Sequence, residues 1–166
     1  PRGLERELFL SLLGGDYLRQ HHNLVISGAT GVGKTYLACA LADKACRDGF
    51  SARYYRLPRL VFELALARAD GSYLKLLAQL AKTDLLILDD WAITPLEGQA
   101  QHDLLEVIDD RAECHSTLVA SQVPASEWHQ LFADPTVADA ILDRLLHNAI
   151  RIDLKGGSMR KKTSSI

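Results

Sequence analysis

Asn23-Leu-Val-Ile-Ser-Gly28-Ala-Thr-Gly-Val-Gly33-Lys34-Thr35 is the stretch from which the rest of the chain is read. An apolar run ends in Gly28, the spacing Gly28-x-x-x-x-Gly33-Lys34-Thr35 follows, and an Ala- and Leu-rich helical pattern comes after it. That order is the strand, phosphate loop and helix of a P-loop nucleotide-binding fold. Glycine at Gly28, Gly31 and Gly33 lets the backbone take positive φ and turn its N–H groups inward, and the helix start adds partial positive charge for phosphate oxygens. The predicted cradle is Gly28, Ala29, Thr30, Gly31, Val32, Gly33, Lys34, Thr35 and Tyr36. Lys34 would reach the β- and γ-phosphates of ATP, and the Thr35 hydroxyl would hold Mg²⁺.

Asp84-Leu-Leu-Ile-Leu-Asp89-Asp90 supplies the second half of such a site. Its apolar run reads as a strand buried on both faces, with two carboxylates at the C-terminal end, where open α/β sheets bind ligands. Asp89 would position Mg²⁺ through its water shell, and Asp90 would orient or deprotonate the attacking water. Ser116-Thr-Leu-Val-Ala-Ser121-Gln122 is again a buried strand ending in polar residues. Gln122 is placed to sense the γ-phosphate or the water, although a simple polar strand end fits the spacing equally well.

Around these lie the connecting elements. Leu4, Leu8, Leu12 and Leu13 recur at helical spacing until Gly14-Gly15-Asp16, which predicts a short amphipathic linker helix within residues 1–22. Leu37, Ala38, Leu41, Ala42 and Ala45 form one helix face that Gly49 ends, and Ala52–Arg56 alternates as an edge strand would. Pro58 opens a helix through Leu60, Leu64 and Ala67, and Asp70-Gly-Ser72 parts it from a second one through Leu74, Leu77 and Leu80. Leu104, Leu105, Ile108 and Arg111 mark another helix; helical stretches at Glu127–Phe132 and Thr136–His147 follow, the latter opened by Asp134-Pro135. Ile150, Ile152 and Leu154 alternate with charged residues as a half-exposed strand at the other sheet edge.

Composition bounds the rest. A chain of 166 residues suits one domain that buries about 70% of its unfolded surface. Net charge is only −2, which excludes a global basic field; any nucleic-acid contact must come from a local patch. Cys39, Cys46 and Cys114 are odd in number and form no C-x-x-C pair, as expected of reduced thiols in a cytoplasmic protein, each read as a small buried apolar residue. No apolar stretch approaches the ~18 residues that cross a bilayer, and Pro1 in place of an initiator Met predicts a piece of a longer chain.

At this point the residues resemble a known family. Gly28 to Thr35, the Asp-Gly-Ser break at 70–72, Leu85-Leu-Ile-Leu-Asp-Asp-Trp91, Ser116 to Pro124, Trp128 and Ala138 to Asn148 are together similar to the ATPase domain of IstB-type transposition helper proteins of bacterial insertion sequences, relatives of the DnaC helicase loaders within the AAA+ class. The resemblance implies a three-layer α/β/α sandwich on a five-stranded parallel sheet of order 5-1-4-3-2. It puts the strand ending at Gln122 between the two carboxylate- and phosphate-bearing strands, making Gln122 a sensor where Asn or Thr is more usual. Asp90 stands where Glu is commoner, one methylene shorter.

The resemblance also implies that Arg144 is a finger completing a neighbouring subunit's site, which makes the protein a homo-oligomer. No acid lies three or four positions from Arg144 on its own helix, in keeping with a free finger, with a solvated surface arginine as the other reading. Arg160, in Gly157-Ser-Met-Arg160, resembles a second phosphate sensor, with a solvated basic tail over 156–166 as the other reading. The paired helices between Pro58 and Lys82 match the extra helix of initiator-type AAA+ proteins. Arg53, Arg56, Arg59 and Arg68, followed by Lys75 and Lys82, are the candidate contacts to duplex DNA, against the alternative of a charged exterior in which Glu63, Asp70 and Asp84 are interspersed.

The expectation is therefore an AAA+ P-loop ATPase domain over residues 23–155, using ATP and Mg²⁺, assembling with nucleotide, and acting on duplex DNA for a transposase. A replicative helicase as partner is the nearest alternative. A self-contained P-loop NTPase, or an ATP-binding module that does not hydrolyse, are those of another class.

Overall fold

The computed structural model describes residues 6–155; Leu4 of the N-terminal pattern and Arg160 lie outside them. Helices α1 (Arg6–Gly14) and α2 (Asp16–Arg19) lead into strand β1 (Asn23–Ser27) and helix α3 (Lys34–Arg47). Strand β2 (Ala52–Arg56), helices α4 (Leu57–Asp70) and α5 (Tyr73–Lys82), strand β3 (Leu85–Trp91) and helix α6 (Gly98–Arg111) follow. Strand β4 (Ser116–Ser121), a 3₁₀ helix (Ala125–Leu131), helix α7 (Pro135–Leu146) and strand β5 (Ala149–Asp153) complete the described chain.

The strands form one parallel sheet in the order β2-β3-β4-β1-β5, which read from the other edge is the expected 5-1-4-3-2. Alternation splits each strand between two layers. Leu85 and Ile87 join Leu24, Ile26, Leu118 and Ala120 under α3, while Leu86 and Leu88 join Val25 and Val119 under α4 to α7. β4 and the run Leu85–Leu88 are buried throughout, because in the middle of a three-layer sandwich both faces of a strand are covered. β2 and β5 are the edges, and their partly exposed pattern follows from that.

Local chemistry sets the element ends. Gly71 takes φ 83 to end α4, and Asp134 caps α7 by accepting from the Thr136 and Val137 amides, with Pro135 in the first turn where no N–H is needed.

Three details differ from the sequence expectation. The segment before β1 holds a second helix, α2, and Leu12, Tyr17 and Leu18 are buried in the α3-side core, with Ser116 Oγ donating to the Tyr17 carbonyl at 3.1 Å. The stretch near Trp128 winds as a 3₁₀ helix, because it is a short connector whose indole is fully buried and donates to Val123 O at 2.8 Å. Cys39, Cys46 and Cys114 are all exposed. On α3 the buried stripe is Leu37, Ala38, Leu41 and Ala45, and both helix cysteines fall off it; position on the helix outweighs the apolar character of the thiol.

Candidate functional site

β1 delivers Gly28 into the gap between the ends of β4 and β5. Its N–H donates to Ser121 O at 3.2 Å, and a Cβ there would lie 2.6 Å from Leu154 O and 2.9 Å from Val32 Cγ2. The strand can turn away from the sheet at this point only because the residue has no side chain. Gly31 and Gly33 follow at φ 85 and 104, in the left-handed region the loop needs. Val32 is buried among the core residues below α3, so its side chain anchors the loop. α3 then starts at Lys34 with no side-chain cap on its N-terminus, leaving that end to a bound anion.

The cleft above this loop has a volume of about 340 Å³ and brings Lys34, Thr35, Asp89, Asp90 and Gln122 to one place. Alternation along β3 explains the first carboxylate: Asp89 continues the Leu85, Ile87 face toward α3, is 3% exposed, and accepts from Thr35 Oγ1 at 2.7 Å. Asp90 is placed by a different device. The β3–β4 register slips between Leu88 and Trp91, Asp90 takes φ 56 and Ala92 φ 71, and the Asp90 amide donates to Asp89 Oδ1 at 2.8 Å. Asp is among the few side chains that accept a left-handed backbone readily, which gives a local reason for Asp where a longer acid is commoner.

Lys34 Nζ donates to the carbonyls of Gly28 at 2.7 Å and Ala29 at 3.0 Å. Burial pulls its pKa below the usual lysine value, and the charges of Asp89 and Asp90 oppose that shift. Across the cleft, Thr30 Oγ1 donates to Gln122 Oε1, so the amide and the phosphate loop are already joined. Tyr36 stands 76% exposed at the rim of the same cleft.

Two residues on the edge strand complete the site. Tyr54 donates its phenol proton to Asp89 Oδ2 at 2.5 Å, and Arg56 Nε pairs with Asp90 Oδ2. Burial, and then this bond to Asp89, push the Tyr54 phenol well above its ordinary pKa and keep it a donor. The role of Tyr54 was not visible in the sequence, because it depends on the pairing of Ala52–Arg56 with Leu85–Asp89.

The remaining candidates sit apart. Arg144 lines a polar cleft of about 290 Å³ with Asn23 and Asn148, at the starting ends of the strands, away from the phosphate loop at their other ends. It is neutralised within the chain: Nε donates to Asp109 on α6 at 2.5 Å, and Nη1 to Ala140 O at 3.0 Å. The acid comes from the neighbouring helix, which spacing along α7 could not show. Of the DNA candidates, Arg56 is paired with Asp90, and Arg59 with Glu63 at 3.2 Å. Arg68 pairs with the buried Asp103 at 2.8 Å and lies over the Tyr73 ring. Arg53 is half-buried on β2.

The family model described as IstB-like ATP binding protein matches residues 1–166. The chain belongs to the IstB-like ATP binding protein family. It is 57% identical over 160 residues to the insertion sequence ATP-binding protein y4pL of Sinorhizobium fredii (strain NBRC 101917 / NGR234), covering 96% of this chain and 65% of that relative's length. The IstB-like chain also superposes on the DnaC helicase loader with a TM-score of 0.74 at 18% identity, covering 90% of this chain and 89% of that one. AMPPCP-bound DnaA from Aquifex aeolicus gives 0.72 at 20% identity, covering 89% of this chain and 44% of that one. These likenesses show the fold, a P-loop α/β domain on a five-stranded parallel sheet. Among the described residues no helix is long and apolar enough to cross a membrane.

Proposed function

We propose that this IstB-like domain hydrolyses ATP with Mg²⁺ and uses the cycle to assemble on, and leave, duplex DNA as a transposition helper. The observation that carries this reading is the convergence of Lys34, Thr35, Asp89, Asp90 and Gln122 on one cleft beneath an uncapped helix start. The name of its 57% identical relative, an insertion sequence ATP-binding protein, favours a transposase over a replicative helicase as partner.

The donor set fits the cation. The Thr35 hydroxyl and the Asp89 carboxylate are hard oxygen ligands held 2.7 Å apart, the small protein share that Mg²⁺ takes when phosphates and water supply the rest. Bound there, Mg²⁺ would neutralise charge on the phosphates as the γ-phosphoryl group is transferred to water. Backbone N–H groups of residues 29–35 hold the phosphate oxygens, and Lys34 exchanges its two carbonyl partners for phosphate. Asp90 orients water for in-line attack on the γ-phosphorus, taking its proton as ADP and phosphate form. It does so once its carboxylate is no longer held by Arg56. Gln122, already joined to Thr30, reports the γ-phosphate to β4. Arg144 acts on the site of a neighbouring subunit after exchanging Asp109 for phosphate. Arg160 as a second sensor and Arg53, Arg56, Arg59 and Arg68 as DNA contacts remain part of this proposal; Arg56, Arg59 and Arg68 reach DNA only by giving up their carboxylates.

The test is duplex-DNA binding, by fluorescence anisotropy, with ATP, with ADP and with no nucleotide, for the wild type and for Asp90→Asn. ATP-dependent binding that decays in the wild type as ATP is consumed, but persists in Asp90→Asn with turnover down by about 10²-fold or more, is expected. Binding indifferent to nucleotide, or a fully active Asp90→Asn protein, overturns the proposal.

A further inference from the structure

Asp89 is held by more than its expected partner. Its Oδ2 accepts from Thr35 Oγ1 at 2.7 Å and from Tyr54 OH at 2.5 Å, while Oδ1 accepts from the Asp90 amide at 2.8 Å. Three donors on one nearly buried carboxylate fix both its plane and its rotation. Tyr54 comes from the exposed edge of the sheet and is itself 42% exposed, so packing does not account for where its hydroxyl points. It is paired with Ile87, and its ring runs along β3 to reach the carboxylate two residues further on.

We propose that Tyr54 is a positioning residue that holds the Asp89 carboxylate in the orientation a divalent cation needs, and so sets the cation affinity of the nucleotide site. The proposal rests on the ATP- and Mg²⁺-binding reading above and deepens it. Thr35 and Tyr54 divide the work on one oxygen. The Thr35 hydroxyl can turn a lone pair to a cation while its proton stays on Asp89, and the phenol, which stands back from the loop, keeps Asp89 from rotating as it does so. Outer partners of this kind typically change metal affinity by about 10–100-fold when removed, although they touch no metal.

Mn²⁺ is the probe, titrated by electron paramagnetic resonance into the chain with AMPPCP, beside AMPPCP binding measured in chelator. Tyr54→Phe is expected to weaken Mn²⁺ by about tenfold while metal-free AMPPCP affinity stays within about twofold. Its thermal midpoint should stay at the wild-type value, because the ring is retained at an exposed edge position. Tyr54→Leu, which also lacks the hydroxyl, should weaken Mn²⁺ to the same extent. Unchanged Mn²⁺ affinity in Tyr54→Phe overturns the proposal, and so does an equal loss with and without metal, which would mark a general structural role. A wild-type chain that binds no AMPPCP at all would instead sink the ATP-site reading and this inference with it, whereas a wild type that binds both and matches Tyr54→Phe sinks only the role of Tyr54.

Discussion

Lys34→Ala is expected to lower ATP turnover by about 10²–10³-fold, the range for losing one preorganised charge at a developing anion. Three features make the ammonium hard to replace. Its two loop-carbonyl partners hold it over the cradle before any nucleotide arrives, burial has already removed part of its water, and the charges of Asp89 and Asp90 offset part of that desolvation. Exchange of two carbonyls for phosphate oxygens then costs little reorganisation. Lys34→Arg should fail almost as badly, since a planar fork on a different stem does not fit a pocket shaped for a point charge. Phosphate release with saturating ATP, beside nucleotide affinity by fluorescence, checks this. A Lys34→Ala chain within threefold or so of wild-type turnover would place the chemistry elsewhere.

The second large effect is on stability and comes from Arg111. This guanidinium is 1% exposed at the end of α6, and among the described residues it forms no ion pair with a carboxylate. Instead it donates to Leu80 O at 2.5 Å, Thr83 O at 2.6 Å, Ser116 O at 2.6 Å and Thr117 Oγ1 at 3.0 Å. It thereby ties the end of α5, the turn into β3 and the start of β4 to one side chain. Burial pulls its pKa down to about 10, against the attraction of Asp84, so it remains charged at neutral pH. Arg111→Ala removes one donor from each of these acceptors, leaving Leu80 O only the Thr83 N–H, and opens a cavity, at a cost of about 3–5 kcal/mol. For a domain of this size that is a fall in Tm of about 10 °C or more. Arg111→Met fills most of the space but restores none of the four hydrogen bonds, so it should recover only the smaller part of the loss. Calorimetry of both variants separates packing from hydrogen bonding; full recovery by Met would show that the bonds matter little.

The sequence was most legible where backbone geometry and chemistry coincide. The glycine spacing at Gly28, Gly31 and Gly33 follows from a loop that needs left-handed backbone and a strand exit wedged against Leu154. Buried strands read as continuous apolar runs for the same reason that they are central in the sheet. The strand order itself came through the family resemblance, because period and composition carry no information about which strands are neighbours. Pairings between distant segments were invisible for a related reason: Tyr54 with Asp89, Arg56 with Asp90 and Arg144 with Asp109 each join residues about 35 apart through register or helix packing. Arg111 did leave a signal. It lies three and seven positions after Ile108 and Leu104, on the inward stripe of α6, and a cation on such a stripe needs acceptors around it. The exposed Cys39 and Cys46 show the converse, since place on the helix outweighs a residue type's preference for burial.

If Arg144 of another copy completes each ATP site, as proposed above, turnover must depend on assembly. Phosphate release per subunit, measured over a wide range of protein concentration with and without duplex DNA, tests it most directly when Arg144→Ala is run alongside. Activity per subunit should climb with concentration and with DNA, and Arg144→Ala should remove it while ATP binding survives. Constant activity per subunit, indifferent to DNA and to the loss of Arg144, would contradict it and leave a self-contained NTPase in which Arg144 only braces α7 against Asp109.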